Sequence, residues 1–358
     1  MLKRLYLHQF RNYTKAEFTF ADGVNWIVGK NGQGKTNLLE AIYLLSTGRS
    51  YRTHQLSQLI QEGAPFFFLE AEVEKDGVLQ TLKLSFDGKN KTFQHNATNY
   101  TQFTPLIGLI PHVLCAPEDL TLVQGAPSFR RKFLNVHLSH LDPLYLRHLV
   151  RYHRAMRQRN ELLRKKTEVA IEPWEEAMAH SGDYLMKKRD EIIRDLQEPI
   201  RKTTSQLSSG SDLVEMSYLS SLPVSSPDQL KEHWRSQRKK ELYVGSTLQG
   251  PHRDDVSFVL KGLSVRSFAS EGQKHSVSAA LRLCLWHHLH EVGHDLPIMS
   301  VDDFGAHLDR MRQSRFEKAL SGLGQIFLTS PEVNPEIFPG SHVFEISDGS
   351  EVLKVSSP

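Results

Sequence analysis

What this chain has little of already narrows its setting. Its 358 residues include only two cysteines, Cys115 and Cys284, too few for a disulfide framework and without the spacing of a zinc site. That usage fits a reducing compartment, and cytoplasmic localisation is expected. No apolar run approaches the roughly 18 residues that a membrane-spanning helix requires. The opening Met-Leu-Lys-Arg-Leu-Tyr-Leu-His-Gln-Phe has neither an uninterrupted apolar stretch nor a small-residue cleavage site, so it does not read as a secretory signal. Internal repeats and long low-complexity segments are also missing. Nor is there a strong excess of one charge: the net value is +3, which by itself does not argue for nucleic acid.

What is present is patterned. Apolar alternation predicts strands over Leu2–Phe10, Ala16–Phe20 and Val24–Val28, and again across residues 66–97, where Asp76-Gly77 and Asp87-Gly88 mark turns. Asn37–Leu45 has the propensities of a buried helix. From Pro127 to Ser205 the chain is rich in Leu, Arg, Lys, Glu and Gln and poor in Gly, which predicts several helices. Ser205–Asp228, rich in Ser and Pro, reads as an irregular connection with room for an ordered stretch within it. Strand and loop signals resume at Gly245. A helix over Gly272–Leu289, a strand over Leu296–Val301, a helix around Met311–Leu320 and a strand over Gln325–Leu328 follow. The expected class is therefore α/β, with sections 1–126 and 241–358 bracketing a mainly helical second lobe at 127–240.

Gly29-Lys30-Asn31-Gly32-Gln33-Gly34-Lys35-Thr36 satisfies G-x-x-x-x-G-K-[ST] at every required position, between an apolar strand and an apolar helix. Glycines let consecutive N–H groups curl around a phosphate, and the helix start adds its positive dipole end. Lys35 supplies a point charge for the β- and γ-phosphates, and Thr36 a hydroxyl for Mg²⁺. Farther on, the apolar run Pro297–Val301 ends in Asp302-Asp303. In a phosphate-loop ATPase the first acid holds Mg²⁺ and the next orients or deprotonates the attacking water. Either acid alone would serve equally well as an N-cap.

Two further features admit two readings each. Ser270-Glu271-Gly272-Gln273 opens an Ala- and Leu-rich helix. Ser270 and Gln273 make an ordinary capping box, and the same helix start suits a γ-phosphate carried by a second subunit. Between Arg147 and Lys166 lie Arg147, Arg151, Arg154, Arg157, Arg159, Arg164, Lys165 and Lys166, with Glu161 the one acid. Arg130-Arg131-Lys132 and Arg235, Arg238, Lys239 and Lys240 form two more basic clusters. Such stretches are solvated helix faces or grips for a phosphate backbone, and Arg147, Arg151 and Arg154 share one helix face.

The order of phosphate loop, Ser-x-Gly-Gln and Asp-Asp-x-x-x-x-Leu-Asp is that of ABC ATPases. Phe10-Arg11-Asn12-Tyr13, Gly48-Arg49-Ser50-Tyr51-Arg52-Thr53, Ala116-Pro117-Glu118-Asp119-Leu120, Gln158-Arg159-Asn160-Glu161 and Gly250-Pro251-His252-Arg253-Asp254-Asp255 narrow the match. Over nearly its whole length the chain resembles the RecF family of bacterial DNA replication and repair ATPases. The resemblance implies an ABC-type ATPase head, with mixed sheets around the phosphate-loop core and the helical lobe inserted. It implies ATP and Mg²⁺ as cofactors, with Arg11, Asn12 and residues Gly29 to Asn37 about the nucleotide. Ser270, Gly272 and Gln273 would complete a partner subunit's site, and Asp309 would belong to a loop crossing that dimer interface.

The implied activity is ATP-driven dimer clamping on single-stranded or gapped DNA, with slow DNA-dependent hydrolysis. The implied setting is gap repair and the SOS response, alongside RecO and RecR and away from membranes. Arg130, Arg131, Arg151 and Arg154 are the candidate DNA contacts. Against wider ABC patterns, Asp303 replaces the usual Glu, a substitution RecF proteins tend to share. His307 stands where RecF proteins often have Glu, and Thr329-Ser330 stands where many ABC proteins have a switch histidine.

Overall fold

The structure, a computed structural model, describes residues 1–358 apart from 223–225, 306–307, 335, 348–350 and 356–358, and describes only the backbone of 351–355. His307 thus lies outside the described residues. Contacts divide the chain into two compact units, Met1–Asp119 with Ser278–Pro358, and Leu120–Val277.

The first unit holds two six-stranded sheets. One is antiparallel, built from β1 (Leu2–Phe10), β2 (Tyr13–Thr19), β4 (Phe67–Lys75), β5 (Val78–Phe86), β6 (Lys91–His95) and β7 (Thr98–Tyr100) in the order β2-β1-β4-β5-β6-β7. Its strands alternate as a one-face-buried sheet must: Phe67, Leu69, Ala71 and Val73 of β4 point inward and their neighbours do not. The other sheet contains β3 (Val24–Val28), β8 (His112–Cys115), β12 (Ile298–Val301), β13 (Ile326–Ser330), β14 (His342–Ser347) and β15 (Glu351–Val355), ordered β15-β14-β3-β13-β12-β8. From β14 to β8 it is parallel. Every residue of β12 and β13 is buried, the hydroxyl-bearing Ser300, Thr329 and Ser330 included, the continuous burial of strands covered on both faces.

Helix α1 (Lys35–Thr47) packs in the core that both sheets share. Leu5, Leu7, Phe67 and Leu69 of the first sheet, Leu38, Leu39 and Ile42 of α1, and Ile27, Leu114, Phe327 and Phe344 of the second form one cluster. Phe20, just past β2, meets Phe327 edge-to-face at 4.8 Å, a geometry that favours aromatic pairs beyond area burial. Helix α9 (Arg310–Leu320) completes the unit.

The second unit is mainly helical: α2 (Leu120–Gln124), α3 (Pro127–Leu141), α4 (Pro143–Arg164), α5 (Glu172–Leu207), α6 (Pro227–Val244) and α7 (Val265–Phe268), with α8 (Glu271–Gly293) beginning there and running on into the first unit. Proline stands at the first turn of α3, α4 and α6, where its missing N–H costs nothing and its fixed φ is helical. Asp142 caps α4 by accepting from the Leu144 N–H at 2.8 Å, and Ser226 caps α6 through the Gln229 N–H at 3.3 Å. The unit also holds a three-stranded antiparallel sheet, with β10 (Asp255–Leu260) between β9 (Val214–Leu219) and β11 (Leu263–Ser264). β9 lies within the stretch read from composition as a connection. Because β9 pairs with β10, residues 241–277 fall in the compact unit of the helices, and the units part at residues 119 and 277, not at 126 and 240.

Candidate nucleotide site

Sheet order brings the chemistry together. The strand that feeds the phosphate loop, β3, lies next to β13, and β13 lies next to β12, whose end carries the two acids. All three run parallel, so their carboxyl ends open on one edge, the usual location for a ligand crevice in an open α/β sheet.

The loop is held in a shape that its glycines alone permit. Gly29 and Gly34 have φ of 146° and 115°, and a Cβ on Gly29 would lie 2.4 Å from the Ile346 carbonyl oxygen. At Gly34 a Cβ would come within 2.7 Å of the Asn12 side chain. That asparagine buttresses the loop from behind: its Nδ2 donates to the Gln33 carbonyl at 2.8 Å, and its Oδ1 accepts from Asn37 Nδ2 at 2.8 Å. Tyr13 adds a bond from its hydroxyl to the Gly34 carbonyl at 2.9 Å. Lys35 is buried, and its ammonium donates to the Gly29 and Lys30 carbonyls at 2.6 and 3.0 Å. Burial lowers its pKa, opposed by the nearby charges of Asp303 and Asp302. Lys30, Asn31 and Gly32 form the open crest of the loop, between β3 and α1.

Arg11 faces the base of α1. Its Nε and Nη2 make a forked pair with the buried Glu40 carboxylate at 2.8 and 2.9 Å, and Ser50 and Arg52 also donate to Glu40. Arg52 reaches Asn37 Oδ1 at 2.8 Å as well. The segment after α1 is thereby tied to the helix that carries Lys35 and Thr36.

Asp302 is the convergence point. Its Oδ1 accepts from Thr36 Oγ1 at 3.0 Å and from Thr329 Oγ1 at 2.7 Å, and its Oδ2 accepts from the Tyr51 hydroxyl at 3.3 Å. Burial pushes its carboxyl above the usual range, against the hydrogen bonds from Thr329 and Thr36. Asp303 is exposed, with φ of 51°, a left-handed conformation uncommon outside glycine, though aspartate adopts it more readily than most residues. A hydroxyl and a carboxylate at 3.0 Å are a donor set suited to Mg²⁺, which keeps several waters and shares its remaining ligands with phosphate oxygens. Among the described residues there is no cluster of three or more His, Cys, Asp or Glu that would hold a metal unaided.

A family model described as "RecF/RecN/SMC N terminal domain" matches residues 1–334. The DNA replication and repair protein RecF of Protochlamydia amoebophila is 42% identical over 337 residues, which cover 92% of this chain and 94% of that one. The chain belongs to the RecF family. The RecF of Chlamydia caviae is 36% identical, over 96% of this chain and 95% of its own. A solved structure described as the recombination mediator protein RecF with ATP in the RecFOR pathway superposes with a TM-score of 0.91. It is 31% identical and the match covers 99% of this chain and 97% of that one. The fold is accordingly an α/β ATPase head of the RecF and SMC kind, as the motif order implied.

The remaining sequence candidates have defined settings. Asp309 is the N-cap of α9, accepting from the Arg312 N–H at 2.8 Å. Ser270 and Gln273 form the reciprocal capping box: the Gln273 N–H donates to Ser270 Oγ at 3.3 Å, and the Ser270 N–H donates to Gln273 Oε1 at 2.9 Å. Ser270 itself stays exposed, so the cap leaves it accessible, with Gly272 in the first turn beside it. Gln273 is in turn anchored by its Nε2 on the buried Asp212, at 2.9 Å.

The basic stretches divide sharply. Arg130 is buried, forked onto Asp255 at 2.7 and 3.0 Å and donating to the Leu122 and Gly125 carbonyls. Arg131 donates to the Asp254 carbonyl at 2.7 Å. Arg159 is 0% exposed, donating to Glu175 and Thr247 and ion-paired with Glu241. Arg147, Arg151, Arg154 and Arg157 are exposed on α4. Sequence reasoning missed Tyr51 and Glu40 as parts of the site, and noted Thr329 only as standing at the switch-histidine position, without its bonds to the acids. Only the motif Gly48–Thr53, quoted for its resemblance, pointed toward Tyr51.

Proposed function

We propose that the chain is an ATP-dependent DNA-binding protein that uses ATP and Mg²⁺ to close a homodimer on single-stranded or gapped DNA and hydrolyses ATP slowly to release it. The observation that carries this reading is the hydrogen bond at 3.0 Å between Thr36 of the phosphate loop and Asp302 of the acidic strand. It aligns the two groups that phosphate-loop ATPases use for the nucleotide's metal.

In this reading the loop N–H groups from Lys30 to Thr36 receive the phosphates, and Lys35 leaves its two carbonyl partners for the β- and γ-phosphate oxygens. Arg11 and Asn12 support the base and ribose side, with Asn37 beside them. Thr36 and Asp302 hold Mg²⁺, which when bound neutralises charge on the transferring phosphate. Asp303, exposed and next in sequence, orients the attacking water or takes its proton. Ser270, Gly272 and Gln273 of a second subunit cover the γ-phosphate through a free helix start, and Asp309 lies on the loop that crosses the interface. The dimer therefore exists only while the triphosphate does, which makes hydrolysis a timer.

For DNA, Arg151 and Arg154, with Arg147 and Arg157 beside them, make a cationic ridge on α4 suited to sequence-tolerant phosphate contact. Arg131, half-buried, is a secondary candidate, while the buried Arg130, paired with Asp255 and bonded to two carbonyls, is better read as bracing α3. RecO and RecR are the proposed protein partners, in gap repair and the SOS response. The test is anisotropy of a gapped duplex with and without ATP and Mg²⁺ across a salt series. Tighter binding with ATP, weakened steeply by salt, upholds the reading; binding indifferent to ATP overturns it.

A further inference from the structure

The position where many ABC proteins carry a switch histidine is filled here by Thr329-Ser330, and the two hydroxyls have separate tasks. They sit next to each other on β13, so they face opposite sides of the sheet. Ser330 Oγ accepts from Trp26 Nε1 at 2.7 Å and donates to the Glu332 carbonyl at 2.5 Å, so it serves the packing of the sheet's far side. Thr329 faces the acids. Its Oγ1 donates to Asp302 Oδ1 at 2.7 Å and accepts from the Asp303 N–H at 2.8 Å, while its carbonyl accepts from the Phe304 N–H at 2.8 Å.

These three bonds grip three consecutive residues of the turn that follows β12. The middle one is Asp303, whose φ of 51° needs its surroundings to hold it. Thr329 is 0% exposed, and its backbone registers with Ile27 of β3, two residues before the phosphate loop. One side chain thus fixes the carboxylate of one acid and the backbone of the next, from the strand between them and the loop.

We propose that Thr329 is the positioning residue of the acidic pair: it sets the Asp302 carboxylate for the metal and the Asp303 backbone for the water. This inference rests on the ATPase reading above. A buried threonine that merely fills space would be replaced by valine without loss. A positioning threonine would not, because valine matches its shape and removes both side-chain bonds.

The test compares wild type, Thr329→Val, Thr329→Ser and Lys35→Met. Two quantities are measured: ATP affinity in Mg²⁺ against EDTA, and single-turnover hydrolysis at saturating ATP. Thr329→Val is expected to bind ATP in EDTA as wild type does and to lose the gain in affinity that Mg²⁺ confers. Its turnover should fall about a hundredfold, the scale of a catalytic group displaced by an ångström. Thr329→Ser, which restores the hydroxyl, should recover both to within about threefold, as a preserved hydrogen bond requires.

Equality of Thr329→Val with wild type in both quantities overturns the proposal. If wild type hydrolyses no faster than Lys35→Met, the ATPase reading falls, and the Mg²⁺ gain alone then judges Thr329. Loss in valine with recovery in serine upholds it, and equal gains overturn it. Should Thr329→Val not fold, Thr329→Cys, whose thiol is a weak donor and acceptor, gives the same comparison.

Discussion

Thr36 and Asp302, 266 positions apart in the chain, meet in a hydrogen bond of 3.0 Å. The bond joins the phosphate loop to the acidic strand across β13, and both partners belong to the proposed Mg²⁺ site. Asp302→Asn retains an acceptor for Thr36 and Thr329 while removing the charge. Single-turnover hydrolysis is expected to fall by about two orders of magnitude, as when a preorganised electrostatic group is removed, with ATP affinity in EDTA nearly unchanged. Equal turnover would place the metal on other residues.

The same substitution has a stability consequence of opposite sign. Burial raises the Asp302 carboxyl above its ordinary range. The folded chain therefore holds this proton at pH values where the unfolded chain has released it. Stability contributed by the group falls as pH rises from the ordinary carboxylate range through the raised value, and stays low above it. Asparagine has no such loss. In EDTA without nucleotide, Asp302→Asn should melt above wild type at neutral pH, and the gap should close as pH drops below the ordinary carboxylate range. A variant that melts lower at neutral pH would show that the charged form is favoured in the fold.

Lys35 spans the loop by bonds to the Gly29 and Lys30 carbonyls. Those carbonyls have no claim on a full ammonium charge, so the bonds give way to phosphate oxygens. Lys35→Met removes the charge and keeps the length of the side chain. ATP-dependent dimerisation, followed by light scattering, is expected to disappear. Dimers of the variant that form with ATP as readily as those of wild type would sink the proposed switch.

Local chemistry was legible in the sequence, and so was any element with one clean period. β3, the phosphate loop and the helix after it are contiguous, so residues 24–47 carried their own evidence. Thr329 was legible only as the occupant of the switch-histidine position; its grip on the two acids was not, because that depends on β13 lying between β3 and β12, and strand order is not written in any one segment. The basic stretch failed differently. Charge pattern grouped Arg159 with Arg151 and Arg154, although Tyr145, Tyr152, Ala155, Arg159 and Leu163 share the buried stripe of α4. Helical periodicity applied to Arg159 would have separated it, and the same holds for Arg130 beside Phe133, Leu134 and His137 on α3. β9 was hidden by the Ser- and Pro-rich composition of its flanks.

That division of the arginines predicts two kinds of variant. Arg159 bonds Glu175 and Glu241 within a fully buried cluster, and Arg238 also pairs with Glu175. Arg159→Ala leaves buried carboxylate charge uncompensated, and denaturant melts should show a loss of about 3–5 kcal/mol. Arg151→Ala and Arg154→Ala, both on the exposed face, should leave the melt within about 0.5 kcal/mol of wild type. Each should weaken DNA binding and lower the slope of log K against log salt by about one. Salt slopes unchanged in both would move the DNA contact off α4.

Ser270 decides whether the site is completed by a second copy of the chain. Its hydroxyl accepts the Gln273 N–H at 3.3 Å, yet the residue remains exposed. Gln273, held by Asp212, keeps the helix start in register whatever the hydroxyl does. Ser270→Arg therefore leaves a capped, folded helix whose approach to a γ-phosphate is blocked by bulk. Equilibrium binding of a fluorescent ATP analogue by the monomer should match wild type, while ATP-dependent dimers should be absent in light scattering. If monomer binding is lost instead, Ser270 acts on the nucleotide of its own subunit, and the trans arrangement fails. If dimers persist, the partner contacts ATP through other residues, and the helix start is no more than a cap.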